Sequence, residues 1–169
     1  MSSGKLASAP FRRAFFVAAM FLSAAVATTV VAEAHDVSMP DPRLTPGATE
    51  PGVTKEEICA PGRSAKARKV TARQKREVYA RYGLDPRKPP CPCEVDHFIP
   101  LELGGSNETS NLWPEPYGVE MGARKKDVVE TRLHREVCGG VISLSRAQEI
   151  IRKNWPSCHA AIKSGDDCK

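Results

Sequence analysis

The sequence predicts a single small α+β domain, in which a hairpin of two short strands is flanked by helices. Segment 94–101 (EVDHFIPL) alternates between apolar and polar residues and precedes turn residues, as expected for the first strand of a hairpin. Segments 71–82 (TARQKREVYARY) and 122–138 (GARKKDVVETRLHREVC) instead place apolar residues at helical spacing. The order helix, hairpin, helix, helix indicates a ββα unit with further helices around it.

The first 34 residues have the pattern of a signal peptide. Basic residues precede an apolar run over 14–31, and Ala32-Glu33-Ala34 fits a small-residue cleavage site. We therefore expect residues 1–34 to be removed, which makes the mature chain periplasmic or secreted and leaves it without a membrane attachment. Because the apolar run is long enough to span a bilayer, an uncleaved anchor is the alternative.

The mature chain is expected to begin with a flexible leader over 35–54, because this segment is dense in proline, glycine and polar residues. A domain over 55–157 and a C-terminal tail over 158–169 follow. The first helix of the domain begins at Thr71, whose spacing to Gln74 fits a capping box.

The hairpin and the helix after it have clear boundaries in the sequence. The first strand breaks at Pro100, the turn contains Gly104-Gly105, and Asn111 begins the second strand. In the helix over 122–138, Val129, Leu133 and Val137 recur every four residues and predict its buried face.

A last helix is predicted from Ser143 or Ser145 to about Trp155. Its buried stripe contains Leu144, Ala147, Ile151 and Trp155. Pro156 is expected to end it, because proline lacks the backbone N–H that a helix interior needs.

Six cysteines follow the predicted signal: Cys59, Cys91, Cys93, Cys138, Cys158 and Cys168. An even number in a short exported chain predicts up to three disulfides, although the tight Cys91-Pro-Cys93 pair leaves structural zinc as an alternative. We expect a Cys59–Cys138 bridge, which ties the start of the domain to the helix after the hairpin. Cys158 and Cys168 can clamp the tail behind Trp155.

The chain has 25 basic and 20 acidic residues, a net charge of +5. Part of the excess lies in one stretch without acids, residues 63–76, which we call the basic segment. It contains Arg63, Lys66, Arg68, Lys69, Arg73, Lys75 and Arg76. Such a segment fits an anionic partner such as nucleic acid or an anionic membrane surface, whereas a solvated helix face is the plainer interpretation.

The Asp96-His97 pair offers two groups needed for phosphodiester hydrolysis. A histidine titrates near neutral pH and suits a general base, and a carboxylate suits a hard divalent cation. Because neighbouring side chains on a strand point to opposite faces, both serve one site only if the strand ends or bends here. Asn111 can pin the loop or orient the histidine ring, and Glu130 and His134 lie on one face of the following helix.

These residues and motifs resemble the HNH endonucleases of the ββα-metal superfamily, above all small exported bacterial and phage members. The similarity is specific in DHFIPLELGG, NLWPEP and KDVVETRLH and covers roughly residues 55 to 155. It implies that His97 is the general base, that Asp96 helps hold a divalent cation, and that Asn111 braces the hairpin.

One ligand of the family pattern is missing. Many HNH helices begin with Asn or His about ten residues after the Asn-Leu pair, where this sequence has Glu120-Met121-Gly122-Ala123. Either Glu120 substitutes, or His134 or Glu130 reaches the metal from further along the helix, and we predict His134.

Together with the signal peptide, the resemblance leads us to expect an exported, monomeric endonuclease, with DNA as the expected substrate and RNA as the alternative. Mg²⁺ or Mn²⁺ is the expected cofactor, with Zn²⁺ or Ni²⁺ as alternatives, and the basic segment is expected to bind nucleic acid. A binding protein that kept the fold and lost the chemistry, and an envelope protein built around structural zinc, are the alternative functions.

Overall fold

The structure, a computed structural model, describes Met1, residues 39–88 and residues 93–168. These residues contain helices and one antiparallel two-stranded sheet, which confirms the α+β class. The helices are α1 (Lys55–Ile58), α2 (Arg63–Ala67), α3 (Ala72–Arg81), α4 (Ala123–Cys138) and α5 (Leu144–Ser164), and the strands are β1 (Cys93–His97) and β2 (Leu112–Pro116). They belong to one compact unit, His35–Lys169.

The predicted signal peptide lies, apart from Met1, outside the described residues. Among the residues that are described, none of the helices combines the length and the apolar character that crossing a bilayer requires.

The sheet is covered on both faces, because its side chains alternate. Asp96 pairs with Trp113, and His97 pairs with Leu112. On one face, Val95 and Leu112 pack against Val78 of α3. On the other face, Trp113 packs into the main core with α4 and α5.

The predicted helical stripes form this core. Val129, Leu133 and Val137 of α4 are fully buried, as are Ile151 and Trp155 of α5. They form one cluster that also includes Phe98 and Ile99 from the loop after β1. The helix periods read from the sequence are therefore confirmed for α4 and α5.

The loop between the strands makes a close backbone approach that requires glycine. A Cβ on Gly105 would lie 1.7 Å from the carbonyl oxygen of Ile99 and 2.8 Å from Asn111 Nδ2. Gly104 has φ +76°, and a Cβ there would meet Val53. The Gly-Gly pair thus folds the loop back onto the end of β1.

The segment predicted as a flexible leader is anchored over its described part. Thr45 is buried, and its hydroxyl donates to the carbonyl of Leu112 at 2.9 Å. The backbone N–H of Gly47 donates to Ser110, and Thr49 forms an isolated β-bridge with Gly105. The prolines and glycines here shape turns, while tertiary hydrogen bonds satisfy the backbone, which composition alone does not reveal.

Two short helices precede the first predicted one. Thr54 caps α1 in a capping box with Glu57, and α2 follows at Arg63. The Thr-x-x-Glu spacing in the sequence indicates the start of α1. Apolar periodicity does not predict α1, because a helix of four residues is too short to contain an apolar repeat.

Helix α5 also extends past its predicted end. The helical path breaks at Asn154 (φ −169°, ψ 67°), whose side chain accepts from the N–H of Ser157 and restarts the helix. Pro156 then lies in the first turn of the new segment, where its missing N–H has no intrahelical partner to lose. Part of the predicted tail is therefore helical, and the Cys158–Cys168 disulfide closes it.

Candidate active site

The end of β1 brings Asp96 and His97 together. β1 ends at His97, and His97 Nδ1 lies 3.7 Å from Asp96 Oδ1. Both residues line a pocket of about 70 Å³, together with Arg68, Glu102 and Glu130. The condition set by strand alternation, that the strand must end at this pair, is met.

Asn111 braces the loop that closes the pocket. Its Oδ1 accepts from the N–H of Ile99, and its Nδ2 donates to the carbonyls of Ile99 and Ser106, each at 2.9 Å. Asn111 is fully buried. Of the two roles predicted for Asn111, the structure shows the pinning of the loop.

Asn107 bonds the ring of His97. Its Oδ1 lies 3.2 Å from His97 Nε2 and also accepts from the backbone N–H of Lys69 at 3.0 Å. Its Nδ2 donates to the carbonyl of Ala67 at 2.9 Å. The sequence presents Asn107 only as a turn residue in Gly-Gly-Ser-Asn, so its tertiary role was missed.

These bonds fix the proton positions on His97. The contacts of Asn107 with Lys69 and Ala67 decide which of its amide atoms is oxygen, so an acceptor faces His97 Nε2. The neutral imidazole therefore carries its proton on Nε2. Nδ1 retains its lone pair, and it has no hydrogen-bond partner among the described residues. In this tautomer, His97 can accept a proton at Nδ1, next to Asp96.

Lys126 of α4 lies between three carboxylates, a group we call the Lys126 cluster. Its Nζ donates to the carbonyl of His97 at 2.8 Å and to Glu130. The same Nζ lies 3.6 Å from Asp96 Oδ2 and 3.5 Å from Glu115 Oε2. Lys126 is 1% exposed, although lysine side chains are almost always solvated.

The pKa values in the Lys126 cluster are far apart. Burial raises the pKa of Glu115 to about 8 and that of Glu130 to about 7, against the opposing charge of Lys126. Burial also acts to raise the pKa of Asp96, but a protonated His97 ring and the ammonium of Lys126 together hold it well below its ordinary value. The carboxylates outweigh burial and raise the pKa of Lys126. At neutral pH, Asp96 is thus ionised while Glu115 keeps its proton.

The predicted metal ligands separate into two places. Asp96 and Glu130 line the same pocket, joined there by Glu102, which the sequence did not single out. His134 instead has its Nε2 3.2 Å from the carbonyl of Ile58 and 3.5 Å from Cys138 Sγ. The structure therefore places His134 with the cysteine pair and not with Asp96, while Glu120 is exposed outside the pocket.

The predicted cysteine bridges are confirmed. Cys59 pairs with Cys138 across a Cα–Cα distance of 5.7 Å, and Cys158 pairs with Cys168 across 4.6 Å. Cys93 is also disulfide-bonded, and Cys91 lies outside the described residues. These disulfides suggest an oxidising, extracellular environment.

The Cys59–Cys138 bridge and His134 form a group with metal-ligand chemistry. The two sulfurs and a ring nitrogen of His134 all lie within 4.8 Å of one another. Over the described ranges, no other set of three His, Cys, Asp or Glu side chains meets this condition. This group could hold a metal ion, but the sulfurs are bonded to each other in the oxidised chain.

The basic segment borders the pocket through Arg68. This side chain is 62% exposed, and its guanidinium lies 3.7 Å from Asp96 Oδ1. Arg63 pairs with Glu50 and is half-buried. The other predicted nucleic-acid ligands are exposed: Lys66, Lys69, Arg73, Lys75 and Arg76.

No protein family, curated protein or solved structure matches this chain. The chemistry of the site therefore carries the functional argument.

Proposed function

We propose that this protein is an exported HNH-type endonuclease that hydrolyses phosphodiester bonds in DNA with the help of a divalent cation. In this proposal β1, β2 and α4 form a ββα-metal unit. The observation that carries it is the placement of His97: Asn107 bonds its Nε2, while Nδ1 lies 3.7 Å from Asp96 Oδ1 without a hydrogen-bond partner among the described residues. Hydrolysis by water needs such a positioned base.

The base step follows from these positions. A water molecule in the pocket gives its proton to His97 Nδ1 as its oxygen attacks phosphorus. The Asp96 carboxylate, 3.7 Å from Nδ1, stabilises the imidazolium that forms. Asn107 Oδ1 continues to accept the Nε2 proton, so the ring keeps its orientation through the step.

The donor set of the pocket fits a hard divalent cation. Asp96, Glu102 and Glu130 supply carboxylate oxygens, which Mg²⁺ and Mn²⁺ prefer. These three residues would hold the ion, and it would stabilise charge that develops on the phosphoryl group and the leaving oxygen. Lys126 already bonds Glu130 and faces Asp96, so a bound ion would share these carboxylates with the ammonium.

The basic segment supports a polyanionic substrate. Its exposed arginines and lysines are suited to phosphate contacts, and Arg68 connects them to the pocket. A backbone that crosses this surface places one phosphodiester at His97. Because such contacts read phosphates and not bases, we propose little sequence preference.

Export is proposed on two grounds. The disulfides fit an oxidising compartment, either the periplasm or the exterior. The signal-peptide pattern over 1–34 fits the same route.

A DNA-binding protein without catalysis is the second candidate, and Lys126 favours it. Its ammonium neutralises part of the negative charge that a divalent cation would otherwise meet. If this charge excludes the cation, the chain keeps its basic surface and loses hydrolysis.

The test is cleavage of supercoiled plasmid by the purified protein with Mg²⁺ or Mn²⁺, with a chelator as control. We expect nicking that the chelator stops and that His97→Ala abolishes while DNA binding remains. His159→Ala is the matched control, because this histidine lies on α5 outside the pocket.

Two results would count against the endonuclease. A gel shift without nicking identifies the binding protein. Equal nicking by His97→Ala and the unchanged chain removes His97 from the chemistry.

A further inference from the structure

Cys59, Cys138 and His134 form a second site at the other end of α4. His134 Nε2 lies 3.5 Å from Cys138 Sγ, one helical turn away, and 3.2 Å from the carbonyl of Ile58, the residue before Cys59. All three side chains are half-buried, so the site is accessible without being part of the surface.

The packing around the site holds the two cysteines together independently of their bond. Ile58 at the end of α1 and Val137 in α4 are both buried in the main core cluster. Each is the immediate neighbour of a bridging cysteine. When the bridge opens, the burial of these two residues in the same core cluster still keeps Cys59 near Cys138.

The donor chemistry of this site differs from that of the Asp96 pocket. Two thiolates and one imidazole are the ligands of Zn²⁺ sites, where a tetrahedral ion binds sulfur at about 2.3 Å and nitrogen at about 2.0 Å. Soft thiolates disfavour Mg²⁺ and Mn²⁺. Histidine and cysteine at i and i+4 of a helix point to the same face, as chelation of one ion requires.

We propose that this site carries two mutually exclusive cross-links between α1 and α4: the disulfide when it is oxidised, and a Zn²⁺ ion bound by Cys59, Cys138 and His134 when it is reduced. A dithiol reductant gives two electrons and two protons to the disulfide and becomes a disulfide itself. Zn²⁺ then displaces the two thiol protons into solvent. The proton of His134 Nε2, which the carbonyl of Ile58 accepts in the oxidised chain, moves to Nδ1, and Nε2 gives its lone pair to the ion. Water takes the fourth position.

This exchange preserves the connection between the start of the domain and the helix beneath the hairpin. Reduction alone removes the cross-link, and Zn²⁺ restores it with a different chemistry. Zn²⁺ is therefore expected to raise the free energy of unfolding of the reduced protein. Once the Zn²⁺ concentration exceeds the dissociation constant, this increase should grow with the logarithm of the Zn²⁺ concentration.

The test uses Co²⁺ as a spectroscopic probe on the purified full chain. After reduction with a dithiol and removal of excess reductant under argon, we expect one Co²⁺ per chain, with a thiolate charge-transfer band in the near ultraviolet. Tetrahedral visible bands should accompany it, and Zn²⁺ should displace the probe. The oxidised chain should show none of these signals.

Three variants locate the ion. Cys59→Ser with Cys138→Ser should remove the charge-transfer band although four other cysteines remain, and His134→Ala should weaken Co²⁺ binding at least tenfold. His159→Ala is the matched control and should bind as the unchanged chain does.

Thermal unfolding of the reduced chain gives a second measurement. Zn²⁺ should raise the midpoint of the unchanged chain and of His159→Ala, but not that of the double serine variant. A band that survives in the double variant, or binding unaffected by His134→Ala, would overturn the proposal. So would a reduced chain whose midpoint does not respond to Zn²⁺.

Discussion

At the scale of single residues, one half-buried and one buried polar side chain set the charge and the proton positions around the pocket. Asn107 decides which nitrogen of His97 carries the proton, because its amide is fixed by the backbone of Ala67 and Lys69. Glu115 faces Lys126 and keeps its proton at neutral pH. Neither lines the pocket, yet both affect the charged groups that do.

Replacing Asn107 by alanine is expected to release the ring of His97. We expect a loss of cleavage of roughly 10- to 100-fold, the scale of removing a group that orients another. Nitrogen NMR of the His97 ring should show that the preference for a proton on Nε2 is lost. Asn107→Asp retains an acceptor oxygen, so it should keep that preference, and an unchanged tautomer in the alanine variant would refute the role.

The second residue-scale prediction concerns Glu115 and pH. Its pKa is about 8 in the folded chain against an ordinary value of 4.5, so the folded chain holds a proton that the unfolded chain has released. The free energy of unfolding therefore falls as pH rises between these values. The side chain in Glu115→Gln does not ionise. Between pH 5 and pH 8, we expect the free energy of unfolding of this variant to rise by roughly 1 to 3 kcal/mol relative to that of the unchanged chain.

Urea denaturation at both pH values measures this difference. If the difference in the free energy of unfolding between Glu115→Gln and the unchanged chain stays constant from pH 5 to pH 8, Glu115 does not hold a proton in the folded chain.

At the scale of elements, the loop between β1 and β2 positions the site more than the strands do. Asn111 ties the loop to Ile99 and Ser106, and Gly105 allows the backbones to meet. The paired strands are five residues each, so the hairpin has little rigidity of its own.

Gly105→Ala tests this close approach. The added Cβ would lie 1.7 Å from the carbonyl oxygen of Ile99, so the loop must shift and the Asn111 brace weakens. We expect a loss of stability of about 1 to 3 kcal/mol or more, measured by chemical denaturation, with a parallel loss of cleavage. Gly118→Ala is the matched control, since a Cβ there meets no atom of the described residues within 4 Å. Similar losses in both variants would rule out a specific role for Gly105.

Helices are predictable from the sequence where apolar residues repeat. Segments whose conformation depends on a single side-chain contact are not. The apolar periods of α4 and α5 are sufficient to place Val129, Leu133 and Trp155 in the core. The break at Asn154 and the anchoring of Thr45 depend on one side-chain cap and one tertiary hydrogen bond. The apolar periodicity of the sequence does not indicate such contacts.

The candidate site shows the same division. Asp96, His97 and Asn111 are identifiable because adjacent acid and base residues and a Gly-Gly turn form a local pattern. Lys126 is not, because a lysine in a charged helix is usually solvated, and only the packing of α4 on the sheet buries it. The position of His134 beside the cysteines is likewise set by the docking of α1.

At the scale of the whole molecule, opposite charges are arranged side by side. The basic segment, mostly exposed, borders a pocket whose carboxylates are held by Lys126. A polyanion is attracted by the first region, and a cation by the second. The proposed DNA substrate and divalent ion would therefore approach from neighbouring directions.

Neutralising four residues of the basic segment tests its part in binding. Glutamine in place of Arg68, Lys69, Arg73 and Lys75 should weaken DNA binding and flatten its salt dependence by up to about one unit of slope per lost phosphate contact. Fluorescence anisotropy over a series of salt concentrations measures the slope.

A matched variant separates local contacts from net charge. It removes four exposed basic residues elsewhere: Lys88, Arg135, Lys153 and Lys163. If both variants change the slope equally, the basic segment is ordinary solvated surface.

The Cys59–Cys138 disulfide has a consequence for the order of maturation. Its partners are 79 residues apart and enclose Cys91 and Cys93. A chain that crosses a membrane with its N-terminus first presents Cys59 to an oxidase together with these two nearer cysteines, before Cys138 arrives. Pairing in order of appearance gives wrong bridges, so the yield of native protein should depend on a disulfide isomerase and not on oxidation alone.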